Sequence, residues 1–351
     1  MRILSVGSMT GISNTCRFRN MCLEMIAEHI DIVNTSGNYS IWYRLAYRLF
    51  QYHIPVPLPD HVGANNKILD LVSQNEYDVV WIDKGLIIKP STLKKIKERL
   101  PSSIIVSFSP DNMMKRLWQS KQFCDCIALY DVHITTKSFI IEDFYAHGAK
   151  KVILANKTFQ KDFHYPRNIT KEEKKRLGAD VGFVGTWEKE RCDSILYLAR
   201  HGVKVKVFGD KNWEKYSNIC GNLEIVAGGL YNDDYAKAFG AFKISLCFLK
   251  KCACDQITAR SVEIPACGGF MLAERTNEHL QMFEEGKEAV FFSSDKELLE
   301  KCVYYLCHDE EREKICNAGR KRCLESDYSN DGMIRRVMTQ IYEDENRRSN
   351  Y

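Results

Sequence analysis

No window of this 351-residue sequence approaches the ~18 uninterrupted apolar residues that a membrane-spanning helix needs. The first residues, MRILSVGS, hold too short an apolar run for a signal-peptide core and read as a strand. The chain is therefore expected in the cytoplasm. Arginine-rich arms, RNP patterns, zinc fingers and leucine zippers are all missing, and the net charge is only +4, so nucleic acid is not an expected partner. There is no G-x-G-x-x-G fingerprint and no Walker A loop, which removes the usual signals for a bound dinucleotide or a P-loop. No D-x-D pair stands beyond a strand, and the EDE near the C-terminus lies in a charged tail. No metal and no cofactor are expected.

Cysteine is not scarce, at fourteen residues, but its spacing is uninformative about metal. Cys124/Cys126 and Cys252/Cys254 are C-x-C pairs, not the C-x2-C pairs of zinc sites. Most of the others sit in apolar contexts such as SLCFL and YYLCH. Reduced, buried thiols are the expectation for a cytosolic chain.

A single core stops growing near about 250–300 residues, so two domains are expected. Strand and helix signals alternate in the first half: RILSVG, DIVNT, VVWID, SIIVSFS, VHITT and KVILAN are the strands. Alternation of this kind argues an α/β architecture with a parallel sheet covered on both faces. The polar segment Lys161–Gly178 is expected to link the domains, with one helical turn in it. The alternation restarts at DVGFVGT and continues through VKVKVFG, LEIVAG, KISLCFL and AVFFSS, with a long helix from Asp295. The domains are expected at 1–165 and 178–330. Met333, Val337, Ile341 and Tyr342 lie near helical spacing, so a C-terminal helix over 331–351 is expected to pack back on the first domain.

The stretch DQITARSVEIPACGGFMLAER, 255–275, concentrates the chemistry. It follows the strand KISLCFL and therefore stands at the carboxyl edge of the second sheet, where ligands of such sheets bind. A helix starting near Thr258 or Ser261 and ending near Pro265 or Cys267 would turn unsatisfied amides towards a diphosphate. Arg260 adds a planar fork suited to phosphate. Asp255 and Glu263 would repel phosphate and suit hydroxyls, a ribose diol above all. Ribose, diphosphate and sugar in sequence describe a nucleotide sugar. The competing reading makes Asp255 a helix cap, Arg260 its surface partner, Glu263 a solvated side chain and Gly268–Gly269 a helix C-cap.

The run TARSVEIPACGGFMLAERTNEHLQMFEEGKEAVFFSSDKEL resembles the CgeB-like, spore-maturation-protein-type glycosyltransferases. DVGFVGTWEKER, VKVFGDKNW, DKGLIIKPSTLKKIKE, FSPDN and YDVHITTKSF extend the likeness over roughly residues 75–330. The resemblance implies a GT-B fold, with two Rossmann-like domains facing each other across a cleft. It implies a metal-independent transferase that moves a sugar from a nucleotide-sugar donor to a hydroxyl, as in glycan or surface polysaccharide synthesis. The related retaining enzymes carry E-x7-E, which here reads Asp255…Glu263. By resemblance Glu263 binds the donor ribose, Asp255 faces the transferred sugar, and residues 256–259, Thr258 and Ala259 among them, offer amides to the diphosphate. Many relatives place Arg after the glycine of the first C-terminal strand and Lys about six residues on. Here Thr186 follows Gly185 and position 192 is Cys, so Lys189 or Arg191 would reach the phosphates, with Arg260 sharing the role. Gly209 and Lys250 close neighbouring strands on the donor side.

On the acceptor side, the loop Gly7-Ser8-Met9-Thr10-Gly11 after the first strand floors the expected cleft or is simply a tight βα turn. His133, His164 and Asp111 are candidates to orient or deprotonate an acceptor hydroxyl, each weighed against a structural role. Asp83 and Lys84 end the strand VVWID and are cleft-edge candidates. The acceptor is a glycan, a lipid-linked molecule or a small metabolite. The stretch IWYRLAYRLFQY, 41–52, mixes aromatic and basic residues at helical spacing and would suit peripheral contact with the inner face of an anionic membrane, or a core-packed helix with two exposed arginines. A non-catalytic nucleotide-sugar or carbohydrate binder on the same scaffold is the rival reading, and a nicotinamide oxidoreductase a weaker third.

Overall fold

The computed structural model describes residues 1–11 and 14–348. The chain forms two compact units. One is Met1–Asn156 joined by the segment that starts at Asn330, and the other is Lys157–Ser329. Residues 349–351, the end of the expected C-terminal helix, lie outside the described residues.

In the first unit the order is β1 Arg2–Gly7, α1 Thr15–Ile26, β2 His29–Asn34, α2 Ile41–Gln51, α3 Ala64–Gln74, β3 Val79–Asp83, α4 Pro90–Arg99, β4 Ile104–Ser109, α5 Lys121–Cys126, β5 Val132–Thr135, α6 Ile141–Ala146 and β6 Val152–Leu154. The six strands form one parallel sheet in the order β2-β1-β3-β4-β5-β6. VVWID is buried at every position, as a central parallel strand covered on both faces must be. Val80 and Ile82 pack with Ile68, Leu93 and Ile96 on one face. Val79 and Trp81 pack with Leu23 and Val106 on the other, where the last helix of the chain, Asn330–Arg348, adds Met333, Ile334, Val337 and Ile341. Each fully buried side chain of this size contributes about 1.5–3 kcal/mol.

The second unit runs α7 Lys171–Leu177, β7 Ala179–Val184, α8 Lys189–Arg200, β8 Val205–Gly209, β9 Leu223–Ala227, α9 Asn232–Ala241, β10 Phe242–Cys247, α10 Arg260–Ala266, β11 Met271–Glu274, α11 Asn277–Met282, β12 Val290–Phe292, α12 Asp295–Leu306 and α13 Asp309–Glu325, after which the last helix is α14. Its sheet is also parallel, in the order β12-β11-β10-β7-β8-β9.

Three readings of the sequence need correction. Residues 161–178 are not a free linker but part of the second unit. Phe159, His164 and Leu177 are buried, Phe159 pairs with Ser329, and α7 opens on a Thr170/Glu173 capping box. The short run MLAE, not read as a strand, is β11 and lies between β10 and β12. The expected long helix from Asp295 is two, α12 and α13, broken at Cys307–His308.

Candidate functional site

In an open parallel sheet, a ligand crevice forms where the strand order reverses, because the two flanking connections leave in opposite directions. In the second unit that point lies between β7 and β10. β7 is followed by the turn Gly185-Thr186. The Gly185 amide bonds to Phe208, and the Gly185 carbonyl accepts Trp213 Nε1 at 3.1 Å. A Cβ on Gly209 would lie 2.1 Å from Trp213 Cδ1, so Gly209 is needed to let that indole reach Gly185. Its role is packing beneath the turn.

Arg191, in the first turn of α8, folds back under this turn. It is 5 % exposed, and its Nη1 donates to the Thr186 carbonyl at 3.1 Å. Glu188 lies 3.7 Å from its Nη2. From the other side Arg260 reaches in. A Cβ on Gly185 would sit 3.3 Å from Arg260 Nη2. The Nε of each arginine is buried and meets no acceptor among the described residues. Burial pushes the Arg191 pKa down, Glu188 opposes this, and the neighbouring charge of Arg260 lowers it further. Two guanidiniums thus converge on one turn with donors to spare, an arrangement that a bound anion would relieve.

Helix α10 begins at Arg260, close to expectation, and the Gly268–Gly269 pair closes it as the plain reading had it. Gly268 has φ of 77°, and its amide and that of Gly269 return to Pro265 and Ile264. The start is more occupied than expected. The Thr258 amide already donates to Ser261 Oγ at 3.0 Å, and Ser261 is in turn 2.7 Å from His279 Nε2. His279 Nδ1 lies 2.7 Å from the Glu274 carbonyl, and burial drives its pKa down to about 4. The amides of Ala259 and Arg260 meet no acceptor among the described residues, so they, not Thr258, face outward from this end.

Glu263 is no solvated side chain. It is 6 % exposed. Tyr235 on α9 donates to its Oε2 at 2.5 Å, and His164 Nε2 lies 3.5 Å from its Oε1. The Gln160 amide donates to His164 Nδ1 at 2.9 Å, which leaves the proton on Nε2, facing Glu263. Burial lowers the His164 pKa, and Glu263 partly offsets that. Burial, then Glu263, raises the Tyr235 pKa well above the usual phenol value. Tyr235 also feels the charge of Arg260. Arg191 and Arg260 thus meet at the Gly185 turn, and Glu263, on the helix that Arg260 begins, forms a second, hydrogen-bonded cluster with Tyr235 and His164. Asp255 is half-buried, just after Cys254, whose φ is 56°, and its amide returns to the carbonyl of half-buried Lys250. Glu274 holds this loop: it accepts the Leu249 amide at 2.8 Å and pairs with Lys251 at 2.7 Å.

Lys189 is corrected away from the phosphates. It is exposed and pairs with Asp193 at 2.5 Å, one turn along the solvent side of α8. Tyr235 and Glu274 were not singled out from the sequence. An acidic residue ending the short β11 was the available signal for Glu274, and Tyr235 had none.

In the first unit the strand order reverses between β1 and β3, and a cavity of about 280 Å³ lies there, at the carboxyl ends of β1, β2 and β3. Ser8, Arg19, Asp83 and Lys84 line it, with Tyr39, Tyr43 and His61 as an aromatic wall. From the Gly7–Gly11 loop, Ser8 lines it. A Cβ on Gly7 would lie 2.5 Å from Cys16 Sγ, and Gly11 has φ of 97°. Ser8 Oγ is 2.7 Å from Ser36 Oγ, and Asn14 Nδ2 donates to the Ser8 and Thr10 carbonyls at 2.9 Å.

Asp83 is not a free cleft-edge acid. Arg19 grips it at two points, 2.8 and 2.9 Å, and stacks 4.1 Å over Phe108. Lys84, at φ 63°, pairs with Asp111 at 2.6 Å. Burial works against the Lys84 charge, but Asp111 outweighs it and raises the pKa. His133 is corrected as an acceptor base. It is 1 % exposed, its Nε2 lies 2.8 Å from the Ile127 carbonyl, and Tyr130 and Phe144 enclose the ring. Burial lowers its pKa to about 4. A strand position pointing into the core explains this fully.

None of the fourteen cysteines forms a disulfide, and Cys252, Cys254 and Cys307 are exposed. Among the described residues no group of three or more metal-ligating side chains gathers, and no helix is long and apolar enough to cross a membrane.

Residues 191–339 match the family described as "Glycosyl transferase-like". Among solved structures, Anabaena Alr3699/HepE in complex with UDP-glucose aligns with a TM-score of 0.65 at 12 % identity, covering 98 % of this chain and 100 % of that one. Sucrose-phosphate synthase from Thermosynechococcus elongatus aligns at 0.66 and 10 % identity, over 98 % of this chain and all of that one. A glycosyltransferase from Rickettsia africae aligns at 0.65 and 12 %, over 98 % of both. The fold is GT-B. No curated protein matches the sequence. Two parallel six-stranded sheets with flanking helices make up this fold, and the residue clusters described above sit at the switch points of those sheets.

Proposed function

We propose that this chain is a glycosyltransferase that moves a sugar from a nucleotide-sugar donor to a hydroxyl acceptor. The observation that carries the reading is the pair of converging guanidiniums, Arg191 and Arg260, each with a buried donor unused, inside the region that matches the glycosyl transferase-like family. These two side chains and the amides of Ala259 and Arg260 receive the diphosphate. Glu263 accepts the ribose hydroxyls, with its carboxylate aimed by Tyr235 and His164. Asp255 and Lys250 stand beside the transferred sugar. The CgeB-like resemblance supports the same layout.

In the transfer, the bond from the anomeric carbon to the diphosphate oxygen breaks, and the acceptor oxygen forms the new bond and gives its proton to the departing diphosphate. Negative charge grows on the leaving diphosphate. Fixed donors aimed at that charge stabilise the transition state more than the ground state. No metal is assigned a role here. We assign the acceptor to the aromatic-walled cavity of the first unit, with Asp111 near it, and retention of the anomeric configuration from the acid–x7–acid spacing. A glycan acceptor in surface polysaccharide synthesis and action in the cytoplasm complete the reading.

The test is a thermal-shift panel of UDP-, GDP- and dTDP-sugars, UDP-glucose included, followed by an assay for released nucleoside diphosphate. Stabilisation by one donor and its slow hydrolysis are expected. Stabilisation without any release, with or without acceptors, would identify a binding protein instead.

A further inference from the structure

Helix α2 has one face too many for a helix that merely packs. Tyr43, Ala46 and Phe50 face inward and are buried. On the opposite side Ile41 is 81 % exposed, Trp42 71 % and, at the C-cap, Tyr52 72 %, with Leu45 between them and Ile54 just beyond. Spacings of three and four place Trp42, Leu45, Leu49 and Tyr52 along one stripe. Exposed Arg44 and Arg48 flank that stripe one turn apart, and neither makes an ion pair among the described residues. From Ile32 to Pro59 the sequence contains no acidic residue at all, so nothing in this stretch neutralises the two arginines.

We propose that the outer face of α2 docks on the surface of an anionic lipid bilayer. Tryptophan and tyrosine prefer the headgroup boundary, aliphatic side chains beside them enter the upper acyl region, and arginines meet the lipid phosphates. A second copy of this chain fits the face less well. Across a two-fold axis the same patch meets itself, and Arg44 and Arg48 would face like charges with no acid nearby to pair with. The docking argument needs no assumption about chemistry. One consequence does rest on the proposed function. The buried side of α2 supplies Tyr43 to the wall of the cavity assigned to the acceptor. A helix with its side chains is about 10–12 Å across, so an acceptor held there lies one helix width from the bilayer and suits attachment to a lipid.

The experiment is co-sedimentation of the full chain with phosphatidylcholine vesicles, with and without phosphatidylglycerol. Two double variants, Trp42→Ser/Leu45→Ser and Arg44→Gln/Arg48→Gln, alter only exposed side chains, and circular dichroism with thermal melting verifies their folding. The native chain should bind the anionic vesicles, weakly or not at all the neutral ones, and lose binding as salt rises. Each folded double variant should partition about tenfold less or worse. No binding to anionic vesicles at low salt, or equal binding by both variants, overturns the proposal. A concentration-dependent dimer that Trp42→Ser/Leu45→Ser abolishes, without vesicle binding, overturns it in favour of self-association. UDP affinity measured without vesicles reports on the donor site alone, so its loss or absence bears on the proposed function and not on docking.

Discussion

Tyr235 donates its hydroxyl proton to Glu263 at 2.5 Å, and the two residues come from neighbouring helices of the second unit. The bond leaves the carboxylate oriented while its remaining lone pairs can still accept from a ligand. Replacing Tyr235 by Phe removes a bond to a charged acceptor, worth about 1.5–3 kcal/mol where it is fully used. UDP affinity in Tyr235→Phe should therefore fall about tenfold or more by calorimetry. Glu263→Ala should lose at least as much and abolish transfer. Native affinity in both would remove Glu263 from the ribose.

The two arginines make a different, ligand-selective prediction. Arg260→Met and Arg191→Met should each weaken UDP binding by about tenfold or more while leaving uridine binding unchanged, because only the diphosphate needs the guanidiniums. Arg191→Met should also cost about 1–3 kcal/mol in urea, since it removes the bond to the Thr186 carbonyl and leaves Glu188 without its partner. An equal loss for UDP and uridine would place the arginines elsewhere in the site.

Arg19 and Asp83 allow a double-mutant cycle. Breaking this buried two-point pair on one side, as Asp83→Leu or Arg19→Met, should cost about 3–5 kcal/mol, because it leaves a buried charge unmatched. The double change Arg19→Met/Asp83→Leu should recover much of that. Additive losses in denaturant titration would deny the coupling.

Stability should fall in mild acid. His133 and His279 are held neutral by burial, with pKa values of about 4 against an ordinary 6.5. Between those values the unfolded chain binds protons that the folded chain refuses, so stability rises with pH from about 4 to about 6.5 and is level above. A drop in melting temperature from pH 7 to pH 5 is expected, and His279→Gln should flatten it. A flat native profile across that window would contradict the burial assigned to both rings.

Much of the fold was legible because parallel strands buried on both faces read as unbroken apolar runs. VVWID and KISLCFL carry that mark plainly, and the alternation with helices fixed the class. MLAE in β11 did not register, since four residues after a glycine pair carry no period of their own. The segment 161–178 misled for the opposite reason. Its many charges look like a linker, yet a few buried residues, Phe159, His164 and Leu177, tie it and its surroundings into the second unit. Within the site, Arg260 and Glu263 could be picked out because local chain order sets them on one helix. Arg19 could not. It occupies the apolar stripe of α1 between Cys16 and Leu23, and only its meeting with Asp83, far away in sequence, explains a charge there. His133 shows the converse. A histidine inside a strand run is a core position first, and the run VHIT said so.

The route of the backbone has a consequence for synthesis. The first sheet is laid down early, but the face of Ile3, Trp81 and Val106 has only α1 on it, through residues such as Cys22 and Leu23, until Met333, Val337 and Ile341 of α14 arrive. The middle of the chain, by contrast, supplies every segment of its own unit before α14 is made. On the ribosome the later unit can close before the earlier one, and the earlier sheet must wait, half-dressed and in need of shielding, for nearly the whole polypeptide to emerge.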